Sequence, residues 1–186
     1  IVDSLVGSEM CIRDSRVDAR GMTALPGFID AHVHIANPYE GVVGPITPPE
    51  YVFKLWLAHG ITTVRDTGSV MGLDWTVSHA VRAARNEIVA PDIVPFAMFP
   101  GTSLAQFEIS DEQGARDWVR AVKARGAKGV KLRGGTAEAL AAVYDEAQAL
   151  GMGTASHHDQ NCVYHMNVLD SARLGLDSME HWYGLP

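Results

Sequence analysis

The sequence predicts an α/β fold in which parallel strands curve into a partial (β/α)8 TIM barrel, with about six of the eight βα units present. Three observations carry this expectation. First, amphipathic stretches end in glycine and an apolar run begins within one or two residues, at "LAHGITTV", "KARGAKGVKL", "ALGMGTAS" and "RLGLDSME". Gly60, Gly126, Gly151 and Gly175 stand where a left-handed residue closes a helix and turns the chain into a strand. Second, polar residues collect at the C-terminal ends of the apolar runs: His32 and His34, Arg65 and Asp66, Lys131 and Arg133, His157, and His181. Reactive groups at the ends of several strands suit the mouth of a barrel. Third, no GxGxxG or GxxxxGK[ST] marks the single switch point of a doubly wound sheet.

Residues 1–15 stand apart. The stretch "LVGSEMCIRDS", Leu5 to Ser15, has neither helical nor strand periodicity and resembles the translation of a sequencing-library adapter, so 1–15 is expected to be an artefactual leader. Without Cys11, Cys162 is the only cysteine, and no internal disulfide or oxidising compartment is implied. Residues 16–26, "RVDARGMTALP", read as a short extended segment belonging to another unit, and 27–186 as the incomplete barrel. Strands are expected at 28–34, 61–66, 92–99, 129–133, 152–157 and 176–181, short and largely apolar as in a sheet covered on both faces. Between them "PPEYVFKLWLA", "LDWTVSHAVRAAR", "DEQGARDWVRAVKA" and "TAEALAAVYDEAQA" space their apolar residues three and four apart, the period of a helix with one buried face.

Hydrophobic residues make up 47% of the 186, enough for a sizeable core. Fifteen Lys and Arg against 22 Asp and Glu give a formal charge of −7 with no basic cluster, which argues against nucleic acid or an anionic membrane surface as partner. A small neutral or cationic substrate fits better. No apolar run approaches the ~18 residues of a membrane span. No Lys/Arg-led signal peptide opens the chain; the compartment stays open, the cytoplasm being the default, and a homo-oligomer is equally open.

In a strand, residues two apart share a face, so His32 and His34 lie side by side with Val33 opposite, placed for two imidazoles to reach one divalent metal. Two satisfied core histidines would give the same pattern. Asp30, one step deeper on that face, reads either as a partner that orients an imidazole or as a buried, hydrogen-bonded acid. In "GVKLR", Val130 and Leu132 oppose Lys131; with those two under helices, Lys131 points inward, where burial favours the neutral amine. A neutral amine can add carbon dioxide to give a carbamate that bridges two metals; an ordinary ion pair with Asp66 or Glu180 is the alternative. His157 and His181 close their strands in "TASH" and "SMEH" and face the same mouth. Of the other histidines, His59 suits a helix C-terminus, His79 sits within a helix, and His158 and His165 fall in the loop after the fifth strand, where lining a substrate or facing solvent is expected of them.

Taken together, "LPGFIDAHVHI", "HGITTVRDTGS", "GAKGVKL", "GMGTASHHDQ" and "LDSMEHWYG" resemble the successive strand motifs of the amidohydrolase superfamily, in particular its imidazolonepropionase-like and prolidase-like members, over everything from Arg16 onward. The resemblance implies a metal-dependent hydrolase of amide or other C–N bonds, with dipeptide-like or cyclic amide substrates. His32 and His34 would hold one metal, Lys131 as a carbamate would bridge, and His157 and His181 would hold a second, both divalent and expected to be zinc. Residues 16–26 would end the small β-sandwich that accompanies such barrels. Arg133 reads as a bidentate contact to a substrate carboxylate or as a surface arginine; His158, Gln160, Tyr183 and Trp182 are further pocket candidates, and Arg65 and Asp66 could pair with each other.

Two departures from the family pattern matter. The family's general base is an Asp after the eighth strand, expected beyond Pro186, so the chain by itself is expected to be an inactive fragment with open sheet edges. "HHDQ" at 157–160 also resembles a single-metal enzyme of the family, which keeps a mononuclear deaminase or cyclic-amide hydrolase as the rival reading, Lys131 then being structural.

Overall fold

In the computed structural model, residues 18–35, 47–68, 71–100, 109–160 and 162–182 are described. The predicted alternation is present: β1 (Phe28–Val33), α1 (Pro49–Ala58), β2 (Ile61–Asp66), α2 (Leu73–Ala84), β3 (Asp92–Met98), α3 (Glu112–Ala124), β4 (Gly129–Leu132), α4 (Ala137–Ala149), β5 (Gly153–Ser156), α5 (Val168–Arg173) and β6 (Ser178–Met179). All four joint glycines take positive φ. Side-chain caps open the later helices: Asp111 accepts from the Gly114 amide at 2.9 Å, Thr136 from the Ala139 amide at 3.2 Å, and Asn167 with Asp170 forms a capping box on α5. The sequence announced α5 only by its closing glycine.

The strands form one sheet in the order β1-β2-β3-β4-β5-β6, every neighbouring pair parallel. In a flat sheet with strands ~4.8 Å apart, β1 and β6 would lie about 24 Å from each other. Instead the His32 ring on β1 touches the carboxylate of Glu180, just past β6, so the sheet curls into a half-barrel. Only β2 keeps its expected bounds; the other strands are shorter than expected, and β6 keeps two residues, pairing with β5 among the described residues.

Alternation along the strands divides the side chains between two faces. The outer face packs under the helices in two clusters, one around Val119, Val130, Leu132 and Val143, the other around Val33, Phe53, Val64 and Ile93. The inner face carries a layer made by three residues in register across β3, β4 and β5: Phe96, Gly129 and Gly153. The two glycines give up their side-chain volume to the Phe96 ring; a Cβ built on Gly129 would lie 2.3–2.5 Å from that ring. One layer further along, Lys131 stands level with Met98 and Ala155, hence inside the half-barrel above the Phe96 ring.

Residues 18–27 are exposed, with a turn closed by the Met22 amide on the Ala19 carbonyl at 3.0 Å, and they contain no strand. The leader expected at 1–15 and the pocket candidate Tyr183 lie outside the described residues.

Because the Phe96 ring fills the space above Gly129, Gly129→Ala is expected to lower stability by about 1–3 kcal/mol through overpacking. Urea unfolding at constant m-value measures it; an unchanged midpoint would contradict the layer.

Candidate active site

The half-barrel gathers all five predicted ligand residues at its C-terminal mouth. His32 and His34 project from β1, with ring centroids 5.3 Å apart. The His32 ring lies 4.4 Å from that of His181, which in turn lies 4.8 Å from that of His157, so four imidazoles from three strand ends form a continuous row. Val33 between the first two is buried on the opposite face, as strand alternation requires. His181, third in the row, and the adjacent Trp182 hold φ of 117° and 83°, a left-handed backbone that side chains with a Cβ rarely adopt and that functional sites concentrate.

Lys131 is 2% exposed, and its Nζ has no hydrogen-bond partner among the described residues. Burial brings its pKa down to about 8, helped by the Arg65 and Arg133 guanidinium groups and resisted by Glu180. An ion pair with Asp66 or Glu180 is therefore not made by contact. Burial, then the charges of Lys131 and His181, pushes His157 down to about 4. His181 and His32 are lowered as well, burial being the main cause in both. These imidazoles are neutral at pH 7, the form that offers a lone pair to a cation.

The tautomers are set by what each Nδ1 touches. His34 Nδ1–H donates to the Gly68 carbonyl at 3.0 Å, and His32 Nδ1–H donates to Glu180 Oε2; each leaves Nε2 free. Among the described residues no group of three His, Cys, Asp or Glu side chains stands ready-arranged around a metal. The chemistry of the donors nevertheless fits a divalent metal: four imidazoles side by side, near a buried amine that has no hydrogen-bond partner among the described residues.

Glu180 is the functional residue that sequence reasoning undervalued. It is 6% exposed, and its Oε1 accepts from Arg65 Nη2 at 2.8 Å and from the Ser178 hydroxyl at 2.6 Å. Burial alone would raise its pKa, but the hydrogen bonds from Ser178 and His32 and the charge of Lys131 outweigh burial and hold it below the usual range. The signal was present in "SMEH": Ser178 and Glu180 are two apart within the strand expected at 176–181, where alternation puts them on one face.

Arg65 and Asp66 do not pair, because consecutive strand residues face opposite ways. Arg65 turns inward to Glu180, also donating from Nε to the Ala31 carbonyl at 2.6 Å and lying 5.1 Å over the Phe96 ring. Asp66 turns outward beneath α2, where Thr76 Oγ1 donates to it at 2.9 Å. Burial raises its pKa to about 6, with the Thr76 bond and the His34 charge opposing. Asp30 orients backbone, accepting from the His32 amide at 3.2 Å.

The remaining candidates separate. Arg133 is half-buried with Nη2 3.5 Å from Asp159 Oδ2. Gln160 is exposed. His158 turns away from the mouth: it is 4% exposed, shares a 2.9 Å hydrogen bond between Nε2 and the Ser171 hydroxyl of α5, and lines a small enclosed cavity with Tyr144 and Cys162. His59 and His79 bond the carbonyls four residues back, at 2.8 and 2.9 Å. His165 stacks on Tyr164.

A family model described as "Amidohydrolase family" matches residues 23–173. The chain is 34% identical over 110 residues to adenine deaminase 2 of Desulfotalea psychrophila, covering 53% of this chain and 18% of that protein. To adenine deaminase 2 of Rhizobium etli it is 39% identical over 98 residues, 48% of this chain and 15% of the relative. A solved Xaa-Pro dipeptidase with bound methionine in its active site superposes with a TM-score of 0.65 at 20% identity, covering 84% of this chain and 48% of that one, a likeness of fold. The chain thus spans under a fifth of the curated relatives it matches.

Asp66 makes stability depend on pH in a stated direction. Its folded pKa of about 6 exceeds the ordinary 3.8, so its contribution is fully present below pH 3.8 and is lost as pH rises through 6. Asp66→Asn is expected to gain stability relative to the parent chain between pH 4 and 7; parallel urea-unfolding profiles over that window would contradict it.

Proposed function

The chain belongs to the amidohydrolase family, and on that premise we propose that its half-barrel forms the metal-binding wall of a hydrolase that cleaves amide or other C–N bonds of a small substrate. One observation carries the reading: a buried lysine without a hydrogen-bond partner among the described residues stands beside a row of imidazoles, in which burial lowers the pKa of His32, His157 and His181. His32 and His34 would hold one divalent ion and His157 and His181 a second, with Lys131 between them as a carbamate. When bound, such ions supply Lewis acidity toward the scissile carbonyl and acidify a water toward a pKa of about 7.

The chain's own residues prepare that chemistry. A folded pKa of about 8 leaves Lys131 a substantial neutral fraction near neutrality. The lone pair of the neutral Nζ adds to the carbon of CO2, one N–H proton leaves to solvent, and the resulting carbamate carries one negative charge shared by its two oxygens. Removing a buried, unpaired cation is the physical drive for the modification. Arg133, two residues beyond Lys131 at the rim, would exchange its long contact with Asp159 for a substrate carboxylate, the two-pronged geometry for which guanidinium is suited.

A second reading is favoured by the curated relatives, both adenine deaminases by name. In it one metal serves, Lys131 is structural, and the bond cleaved is an exocyclic C–N bond of a purine base. His157 or Gln160 would then face the base.

Metal counting by mass spectrometry on the full-length protein, with 13C-bicarbonate NMR, separates the two. Two zinc ions per chain and a carbamate carbon signal that disappears in Lys131→Ala are expected, with that variant losing at least about 100-fold in kcat. A single ion, no carbamate signal and retained adenine deamination in Lys131→Ala would overturn the binuclear reading. On acidification, His157 is expected to remain unprotonated until pH approaches 4, so zinc loss above pH 5 in a titration would have to start elsewhere in the ligand set.

A further inference from the structure

The carboxylate of Glu180 has no part in the ligand set above, yet it is buried and held by three side chains, Arg65, Ser178 and His32. Its two oxygens are differently occupied. Oε1 takes the Arg65 guanidinium at 2.8 Å and the Ser178 hydroxyl at 2.6 Å, while Oε2 takes the Nδ1 of His32. Arg65 is itself fixed, by its Nε bond to the Ala31 carbonyl at 2.6 Å and by the Phe96 ring under its guanidinium. The clamp therefore has no freedom to rotate away from His32.

We propose that Glu180, locked by Arg65 and Ser178, is a positioning residue that holds His32 as its Nδ1–H tautomer and so presents Nε2 to the metal. The inference rests on the reading of His32 as a ligand. A carboxylate bound to a guanidinium is ionised and can only accept, so the proton must sit on Nδ1. The lone pair at Nε2 is then the only one the ring can offer. His34 gets the same treatment from a different acceptor, the Gly68 carbonyl. The difference has a consequence: a carboxylate raises the basicity of the imidazole it holds more than a neutral carbonyl does, which makes His32 the stronger donor of the pair. Because Glu180 follows β6 and His32 lies on β1, the orientation of this ligand depends on the closure of the sheet.

Glu180→Gln tests the proposal with little change of volume. Arg65 and Ser178 retain the single amide oxygen, so the amide NH2 turns to Nδ1, which must then accept; the proton moves to Nε2 and blocks the ligating lone pair. The full-length protein is stripped of metal by chelation, the His32 tautomer is read by long-range 1H–15N NMR, and zinc is then titrated in by calorimetry. The expected result is Nδ1–H in the parent, Nε2–H in Glu180→Gln, and zinc affinity about 10–100-fold weaker in the variant. The double variant Glu180→Leu with Arg65→Met removes both charges of the pair together and so strands neither partner, which favours a retained fold; it is expected to show the same loss of affinity. A folded variant with the parental tautomer and affinity would overturn the role of Glu180. A parent that carries Nδ1–H but takes up no zinc would instead overturn the ligand reading beneath it.

Discussion

Arg65 and Glu180 meet inside the half-barrel at 2.8 Å, and this ion pair, extended by His32, joins strands β1, β2 and β6 across the concave side of the sheet. Both partners lie largely out of water, where unpaired charges would be costly. The geometry leaves few of their bonding positions idle: Glu180 is satisfied by Arg65, Ser178 and His32, and Arg65 by Glu180, Ser178, the Ala31 carbonyl and the face of Phe96. Breaking one member would strand the others, so curvature, ligand orientation and the protonation pattern of the mouth are tied to the same contact.

The two faces of the sheet obey different physics. Outward, Val, Leu and Ile side chains pack under helices, and burial is the whole requirement. Inward, the curve leaves limited volume, which the Phe96 ring fills by borrowing space from Gly129 and Gly153. Lys131 stands one layer beyond that ring, and burial is the main reason its amine comes down to about 8, with the charges of the Arg65 and Arg133 guanidinium groups adding to it against Glu180.

The polar groups that turn away from the mouth have their own work. Asp66 fastens β2 to α2 through Thr76. His158 fastens the chain after β5 to α5 through Ser171, whose hydroxyl also meets Tyr144, while the Tyr144 hydroxyl reaches Ser156 on β5. Adjacent residues thus divide their labour: His157 serves the mouth and His158 the wall behind it, as Arg65 serves the mouth and Asp66 the wall. Anchoring of this kind limits the freedom of the strand ends that carry the imidazoles.

The sequence by itself determined the alternation of strand and helix, the glycine that closes four of the five helices, and the strand-end placement of His32, His34, Lys131, His157 and His181. These depend on local periodicity and backbone preference, which neighbours along the chain already encode. Even the inward direction of Lys131 followed from the opposite facing of Val130 and Leu132. What only the tertiary structure decided was which polar groups meet. The pairing of Arg65 with Glu180 rather than Asp66 and the hold of Glu180 on His32 cross between elements far apart in sequence, and the buried place of His158 depends on the helix that follows its strand. His32 and Glu180 are 148 residues apart, and their contact exists only because the sheet curls, a property of six strands together that no single strand carries.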